Sequence, residues 1–157
     1  MNAFYRRAVL FFATGAGVGY IPRLPGTAGT LLAIPFSLAL NSFAASRLGL
    51  GTLILSASVL CAMWLAGLGA KILRQKDPQP IVIDEIAGFL IAHFLAPPRL
   101  SAVLWSVFLF RLFDIAKIFP ASRLEKLPGG LGIVLDDVAA GLYTFIAVRL
   151  LLTLGWA

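Results

Sequence analysis

Two pairs of adjacent carboxylates are the residues of this sequence best suited to chemistry. Asp84-Glu85 and Asp136-Asp137 each stand at the start of an apolar run. Neighbouring like charges resist joint ionisation unless a cation or a basic group is close, and oxygen-rich sites suit Mg²⁺. The two pairs therefore predict metal ligands. Simple helix capping is the alternative, because the dipole of a helix favours carboxylates in its first turn.

A third set of charged residues follows the spacing of a helix. Arg111, Asp114 and Lys117 are three positions apart, and side chains at i and i+3 touch on a helix surface. A local ladder of ion pairs would explain this spacing. Alternatively, Asp114 binds a metal while Arg111 and Lys117 hold phosphate oxygens, Arg through its fork and Lys as a point charge. The spacing leaves both interpretations open.

A glycine-rich segment from Pro25 to Thr30 leads into another apolar run. Free backbone N–H groups and the positive end of a helix dipole bind phosphate, and the hydroxyls of Thr27 and Thr30 would add donors. The segment is not a Walker loop, since no Gly-Lys-Ser/Thr follows. The entry of a kinked membrane helix explains it equally well.

Other routes to phosphate ester hydrolysis lack the residues they need. Cys61, the only cysteine, lies inside an apolar run, and His93, the only histidine, lies in another and is expected to be a satisfied buried side chain. The chain has no Asp-x-Asp pair. Among the mechanisms open to a phosphatase, only a carboxylate-bound metal that activates water remains. This elimination concerns mechanism and does not establish the activity.

The composition places these groups in a membrane protein. The chain is 60% hydrophobic and 13% charged, whereas soluble domains carry about 25% charged residues. Its formal charge of +6 comes from single basic residues scattered between apolar runs. Nucleic-acid binding requires a clustered basic stripe and is not expected. Attraction to an anionic membrane surface is the better interpretation.

Four apolar runs predict the helices that position the carboxylates. The residues between Arg47 and Lys71 carry no charge and predict a transmembrane helix. Leu31–Ser46 contains Pro35 and predicts a shorter or kinked helix, and Val138–Trp156 predicts a span or near-span. The run from 86 to 110 is divided by Pro97-Pro98-Arg99, which predicts two short helices in a hairpin or re-entrant pair.

The polar stretches that remain, Lys71–Glu85 and Arg111–Asp137, hold all seven acidic residues. A hairpin between them places both on one side of the membrane, and their lysines and arginines favour the cytoplasmic side. We therefore predict an all-α, multihelical, membrane-embedded bundle with an acid-rich site at the cytoplasmic interface. Residues 1–157 are expected to form a single domain, with the N-terminal Gly15–Pro25 segment part of the fold and not a cleaved signal.

Four motifs, in this order and spacing, closely resemble the phosphatidylglycerophosphatase A family. They are Pro25–Thr30 (PGTAGT), Ile81–Gly88 (IVIDEIAG), Phe110–Pro120 (FRLFDIAKIFP) and Gly129–Gly141 (GGLGIVLDDVAAG). The resemblance extends over about residues 15–145. It implies Mg²⁺-dependent hydrolysis of phosphatidylglycerophosphate to phosphatidylglycerol by a multi-pass protein of the bacterial cytoplasmic membrane, with the active site facing the cytoplasm.

The resemblance also implies roles for individual residues. It points to a carboxylate cluster around the metal: Asp84, Glu85, Asp114, Asp136 and Asp137. It points to four phosphate-binding residues: Thr27, Thr30, Arg111 and Lys117. Within the carboxylate cluster we assign catalytic roles to Asp137, Glu85 and Asp114, with Asp137 or Glu85 assisting proton transfer.

Two other functions remain open at the level of sequence. A non-enzymatic transporter subunit or ion-coupled carrier could use membrane-edge carboxylates to relay protons or bind a cation, although the inverted repeats typical of such proteins are not evident. A lipid phosphotransferase is the third candidate. The expected partners are the bilayer and a membrane phospholipid, and the sequence leaves open a homo-oligomer.

Overall fold

The computed structural model describes residues 2–156, and these residues contain helices and no strands. The predicted all-α fold is therefore confirmed. This described part of the chain contains seven α-helices: α1 Ala3–Ala13, α2 Pro25–Ser46, α3 Leu48–Leu73, α4 Ile83–Ala92, α5 Leu100–Ala116, α6 Ala121–Leu124 and α7 Gly130–Thr153. A short 3₁₀ turn, Val18–Tyr20, lies between α1 and α2. The turn is part of the fold, since Gly19 is buried in it and a Cβ on Gly19 would overlap the carbonyl oxygen of Pro80.

Three of the helices, α2, α3 and α7, are long and apolar enough to cross a membrane. For α3 this agrees with the prediction. Helix α2 is longer than the predicted Leu31–Ser46 run, since it is a 22-residue helix that begins at Pro25. Proline is well tolerated as the first helical residue because the N–H that it lacks has no partner there. Pro35 lies inside α2 without ending it.

The divided run forms two separate helices, as predicted, but only α4 is short: α5 has 17 residues and extends to Ala116, beyond the predicted end at Phe110. Helix α4 has 10 residues, or about 15 Å at 1.5 Å per residue, which is half of a hydrocarbon core of roughly 30 Å. It begins at Ile83 and ends at Ala92, earlier at both ends than the predicted 86–96 half-helix. Its placement in the membrane as a re-entrant pair with α5 stays a prediction.

The turn after α4 is held by side chains from α2 and α7. Asn41 accepts from the N–H of Leu95 at 2.7 Å and donates to the carbonyl of His93 at 2.7 Å. Arg149 donates to the carbonyl of Phe94. Because a buried backbone polar group without a partner is costly, these bonds allow a short helix to end inside the protein.

Helix α7 begins earlier than the predicted Val138. It starts at Gly130, after Gly129 with a φ of +64°, and so Asp136 and Asp137 lie in its second turn and do not open it. Two glycines allow α7 to approach α4. A Cβ on Gly141 would overlap the carbonyl oxygen of Gly88, and a Cβ on Gly88 would lie 2.7 Å from the carbonyl oxygen of Asp137.

Candidate active site

A polar cavity of about 360 Å³ lies where the chain brings four helix ends together. The N-terminal turns of α2, α4 and α7 meet the C-terminal turn of α5 there. Its charged lining residues are Arg23, Asp77, Asp84, Glu85, Arg111, Asp114, Lys117, Asp136 and Asp137. All five carboxylates that the sequence predicted as metal ligands therefore line one cavity, although they lie on three helices.

Three of those carboxylates form a compact group. Asp84, Glu85 and Asp137 each place one oxygen so that the three atoms lie within 4.8 Å of one another. Asp84 and Asp137 are nearly buried, with 8% and 4% of their surface exposed. Asp84 and Glu85 lie in the first turn of α4 as predicted, and the close Gly88–Gly141 crossing brings Asp137 to them from α7.

The donor set of this group fits a divalent cation. Among residues 2–156, Asp84 Oδ1 and Glu85 Oε2 are buried and have no hydrogen-bond partner. A buried carboxylate oxygen without a partner is costly. Oxygen ligands with concentrated negative charge are those that Mg²⁺ prefers. Neither oxygen accepts a hydrogen bond within residues 2–156, and so helix capping leaves these two oxygens unexplained.

Burial controls the protonation of the two acids on α4. Loss of water raises the pKa of Asp84 well above its usual value, and the neighbouring charge of Glu85 raises it further. Burial likewise raises the pKa of Glu85, while the charge of Arg111 opposes the shift. A cation bound between them would favour the charged forms of both groups.

The two basic residues predicted to hold phosphate are bound to carboxylates. Arg111 Nη1 lies 2.5 Å from Asp114 Oδ2 and 4.0 Å from Glu85 Oε1. The first contact is the i, i+3 pair that the spacing predicted. Arg111 Nε is buried and has no partner among the described residues.

Lys117 does not continue that ladder. Its ammonium lies 3.1 Å from Asp136 Oδ2 on α7 and 3.0 Å from Glu125 Oε2. Burial alone would lower the pKa of Lys117, but the bonds to these two carboxylates raise it above its usual value. Lys117 therefore stays charged and ties α5 to α7. Asp136 Oδ1 has no partner within residues 2–156.

The predicted threonines lie beside the cavity and not in its lining. Thr30 is fully buried, and its hydroxyl donates to the carbonyl of Gly26 at 2.9 Å. The first turn of α2 enters the cavity through Leu24, Pro25 and Gly26. A Cβ on Gly26 would lie 2.8 Å from Arg111 Nη1. The phosphate-binding roles of Thr27 and Thr30 stay predictions.

Sequence reasoning did not single out three residues at this site. Arg23 and Asp77 line the cavity, and Glu125 binds Lys117. Burial raises the pKa of Asp77, although the charge of Lys117 opposes the shift. A signal was present for two of them, because Asp77 and Glu125 belong to the two stretches that hold all the acidic residues. Arg23 precedes the glycine-rich motif and carried no such signal.

Comparisons with known proteins place the chain in a family. The sequence profile described as "Phosphatidylglycerophosphatase A" matches residues 11–152. A Haemophilus influenzae protein named phosphatidylglycerophosphatase A is 37% identical over 142 residues, which are 87% of this chain and 83% of the relative. The Escherichia coli protein of the same name is 33% identical over 131 residues, covering 82% of this chain and 74% of the relative.

A third relative has a different name. A Bacteroides thetaiotaomicron protein named "Putative phosphatidylinositol-3-phosphatase" is 35% identical over 147 residues, covering 88% of this chain and 90% of the relative. No solved structure matches the chain. The names differ in the lipid headgroup and agree on a phosphatase, which favours an enzyme over the carrier that the sequence left open. The resemblance seen in the four motifs is confirmed: the chain belongs to the phosphatidylglycerophosphatase A family, a family of phosphoric monoester hydrolases.

Proposed function

We propose that this protein hydrolyses the terminal phosphomonoester of phosphatidylglycerophosphate in a Mg²⁺-dependent reaction, giving phosphatidylglycerol and phosphate for phospholipid biosynthesis. The observation that carries the proposal is the group of Asp84, Glu85 and Asp137 oxygens in a cavity at the ends of membrane-length helices. The Haemophilus influenzae and Escherichia coli relatives carry the name of this activity.

The carboxylates would have two roles in the reaction, metal binding and proton transfer. Asp84, Glu85 and Asp137 would hold the cation, with Asp114 and Asp136 close to it in the same cavity. A bound Mg²⁺ would supply a Lewis acid for the phosphoryl oxygens and lower the pKa of a water molecule. Glu85 or Asp137 would accept the proton of the attacking water, since a general base must lie within hydrogen-bond reach of it.

The basic residues would hold the phosphate without giving up their carboxylate partners. Arg carries five N–H donors in a fork and Lys carries three. Arg111 uses Nη1 for Asp114, and the ammonium of Lys117 faces two carboxylate oxygens. Donors remain on both side chains for phosphate oxygens. The N-terminal turn of α2 adds the positive end of its dipole to the same cavity.

The relatives' names leave the headgroup as the point to test. Phosphatidylglycerophosphate and a phosphatidylinositol phosphate both present a phosphomonoester on a lipid, and the carboxylate group alone does not select between them. Two of the three relatives described above carry the first name, and so we propose the first substrate. The rates of phosphate release from the two lipids, measured under the same conditions, would show which is the better substrate. A lipid phosphotransferase would need a nucleotide, which this assay omits.

We also propose that the protein is a multi-pass protein of the bacterial cytoplasmic membrane with its site facing the cytoplasm. The cavity contains Arg23 and Lys117, and the adjoining polar stretches carry Lys71, Arg74 and Lys76. Basic residues are enriched in cytoplasmic segments. Labelling of a cysteine placed at Lys76, in a Cys61→Ser background, by a membrane-impermeant reagent in intact cells would contradict this orientation.

The deciding experiment uses phosphatidylglycerophosphate in detergent micelles, with purified protein, in Mg²⁺ or in chelator. We expect release of phosphate by the wild type in Mg²⁺ and none in chelator. Asp137→Asn should lose at least about a hundredfold in kcat, because one ligand charge and one proton acceptor disappear together. Glu125→Gln is the matched control, since Glu125 contacts Lys117 and stands outside the three-carboxylate group. Metal-independent turnover, or equal activity of both variants, would contradict the proposed site.

A further inference from the structure

A second cavity, much larger and almost entirely apolar, lies between α1, α2, α3 and α4. Its volume is about 870 Å³, within the range of roughly 300–1,000 Å³ that is typical of ligand pockets. We call it the apolar groove. Residues along its length include Leu32, Phe36 and Phe43 on α2, Ile54 and Leu65 on α3, and Leu90 on α4.

The hydroxyl proton of the single hydroxyl side chain that lines the apolar groove is already used in a hydrogen bond within the protein. Ser58 lies in the lining, but its hydroxyl donates to the carbonyl of Ile54 at 2.8 Å within α3. Cys61, the other lining residue with a heteroatom in its side chain, carries a thiol that behaves as a small apolar group. The chemistry of the lining therefore matches a hydrocarbon ligand.

The length of the groove matches half a bilayer. Leu32 and Phe43 both line it and are eleven positions apart on α2. At 1.5 Å per residue they are separated by about 16 Å, close to half of a hydrocarbon core of roughly 30 Å. An extended acyl chain of one leaflet spans the same depth.

The groove and the polar cavity share two helices as walls. On α4, Ile83 and Ile86 line the groove, while Asp84 and Glu85, between them in sequence, line the polar cavity. On α2, Gly26 lines the polar cavity and Leu32, less than two turns later, lines the groove. One end of the groove therefore lies at the depth of the catalytic carboxylates.

We infer that the apolar groove binds one acyl chain of the lipid whose phosphate enters the polar cavity. This inference rests on the proposed function, because it takes the substrate to be a phospholipid. In a membrane, apolar burial does not drive association, and contacts depend on packing. A concave groove surrounds a flexible acyl chain on more sides than the flat bilayer-facing surface of a helix does, and so it positions the lipid relative to the carboxylates.

The test fills the groove and compares two substrates. Ala57 lines the groove and is exposed, and Ala57→Trp would place an indole in it. Leu60→Trp is the matched control, because Leu60 is on the same helix, is 66% exposed and is not among the groove's lining residues. Both variants are assayed with dioleoyl and with water-soluble dihexanoyl phosphatidylglycerophosphate.

We expect Ala57→Trp to lower the ratio of dioleoyl to dihexanoyl kcat/KM by at least about threefold, the size of change that a few lost packing contacts cause. Leu60→Trp should keep the wild-type ratio. If Ala57→Trp does not fold, Cys61 gives a second route, since it is the only cysteine and is exposed in the groove. Alkyl thiosulfonates convert its thiol to a mixed disulfide and release a sulfinate. Treating the folded protein with reagents of increasing alkyl length should lower the same ratio progressively, and the Cys61→Ala protein should keep its ratio under the same treatment.

An unchanged ratio in both Ala57→Trp and the thiosulfonate-modified protein would overturn the inference. Rapid oxidative cross-linking of Cys61 between two copies in lipid vesicles would also overturn it, because the groove would then face a second copy. Failure of the wild type to release phosphate from either substrate would refute the proposed function itself. The two failures are therefore distinguishable.

Discussion

Two buried polar clusters of this protein sit at opposite ends of helix α4 and are built differently. At its C-terminal end, Asn41 makes hydrogen bonds to the backbone of three residues in the turn: His93, Leu95 and Ala96. At its N-terminal end, Asp84 Oδ1 and Glu85 Oε2 are buried without a partner among residues 2–156. The Asn41 cluster provides hydrogen bonds for backbone groups of the turn. The carboxylate cluster leaves oxygen acceptors available to a ligand such as a cation.

This difference in hydrogen bonding distinguishes buried polar groups with a structural role from those with a functional one. A side chain whose donors and acceptors all meet backbone groups is explained by the cost of ending a helix inside the protein. Several carboxylate oxygens that face one another without donors are explained only by a cation or by protonation. His93 was expected to be a satisfied buried side chain, and this holds for one ring nitrogen: Nδ1 contacts the side chains of Ser37 and Asn41, whereas Nε2 is buried without a partner in the described part of the chain.

The largest expected effect is on metal binding at the carboxylate end. Asp84→Asn removes one ligand charge, and we expect at least about a hundredfold weaker binding of Mn²⁺, used as a paramagnetic probe in place of Mg²⁺. Electron paramagnetic resonance of free Mn²⁺ measures this in micelles without any turnover. Asn41→Ala should bind Mn²⁺ like the wild type. If Asp84→Asn bound Mn²⁺ as tightly as the wild type, the carboxylate cluster would not be a metal site and would not differ in this way from the Asn41 cluster.

The next effect is on stability at the other end. Asn41→Ala leaves backbone groups of the turn without partners, and we expect a loss of about 2 kcal/mol in the free energy of unfolding. Denaturant unfolding in detergent, followed by circular dichroism, measures it. Ser46→Ala serves as control, because the Ser46 hydroxyl is exposed and bonds only within α2. A loss of similar size in both variants would mean that the Asn41 bonds have no special weight.

The smallest effect tests the packing that joins the two clusters. In Gly141→Ala the new methyl meets the carbonyl oxygen of Gly88, and we expect a cost of about 1–2 kcal/mol with weaker Mn²⁺ binding, because α7 carries Asp137 away from α4. Gly49→Ala is the matched control, since no atom of another described element lies within 4 Å of its added Cβ. Alanine is favoured over glycine in a helix, and so the control should gain stability slightly. Unaltered Mn²⁺ affinity in Gly141→Ala would show that metal binding does not depend on the close approach of α4 and α7 at Gly88 and Gly141.

Much of the fold could be predicted because its signals are local. The uncharged run before Lys71 and the Pro97-Pro98 break depend on hydropathy and on backbone sterics, and both predictions are confirmed by α3 and by the α4–α5 division. The bounds of α2 and α7 could not be predicted. Proline and glycine normally suggest an end or a loop, but Pro35 lies inside α2, and Gly130 begins α7 where only a glycine fits against the backbone of Met63.

By itself, the sequence determined that this is an all-α membrane protein whose available chemistry is that of carboxylates, since composition and residue type do not depend on packing. Only the tertiary structure decided which carboxylates converge. Asp137 joins Asp84 and Glu85 across more than fifty positions of sequence, while Lys117 turns to Asp136 and away from its helical neighbour Asp114. Such contacts are set by how closely two helices approach, and that distance depends on the absent side chains of Gly88 and Gly141.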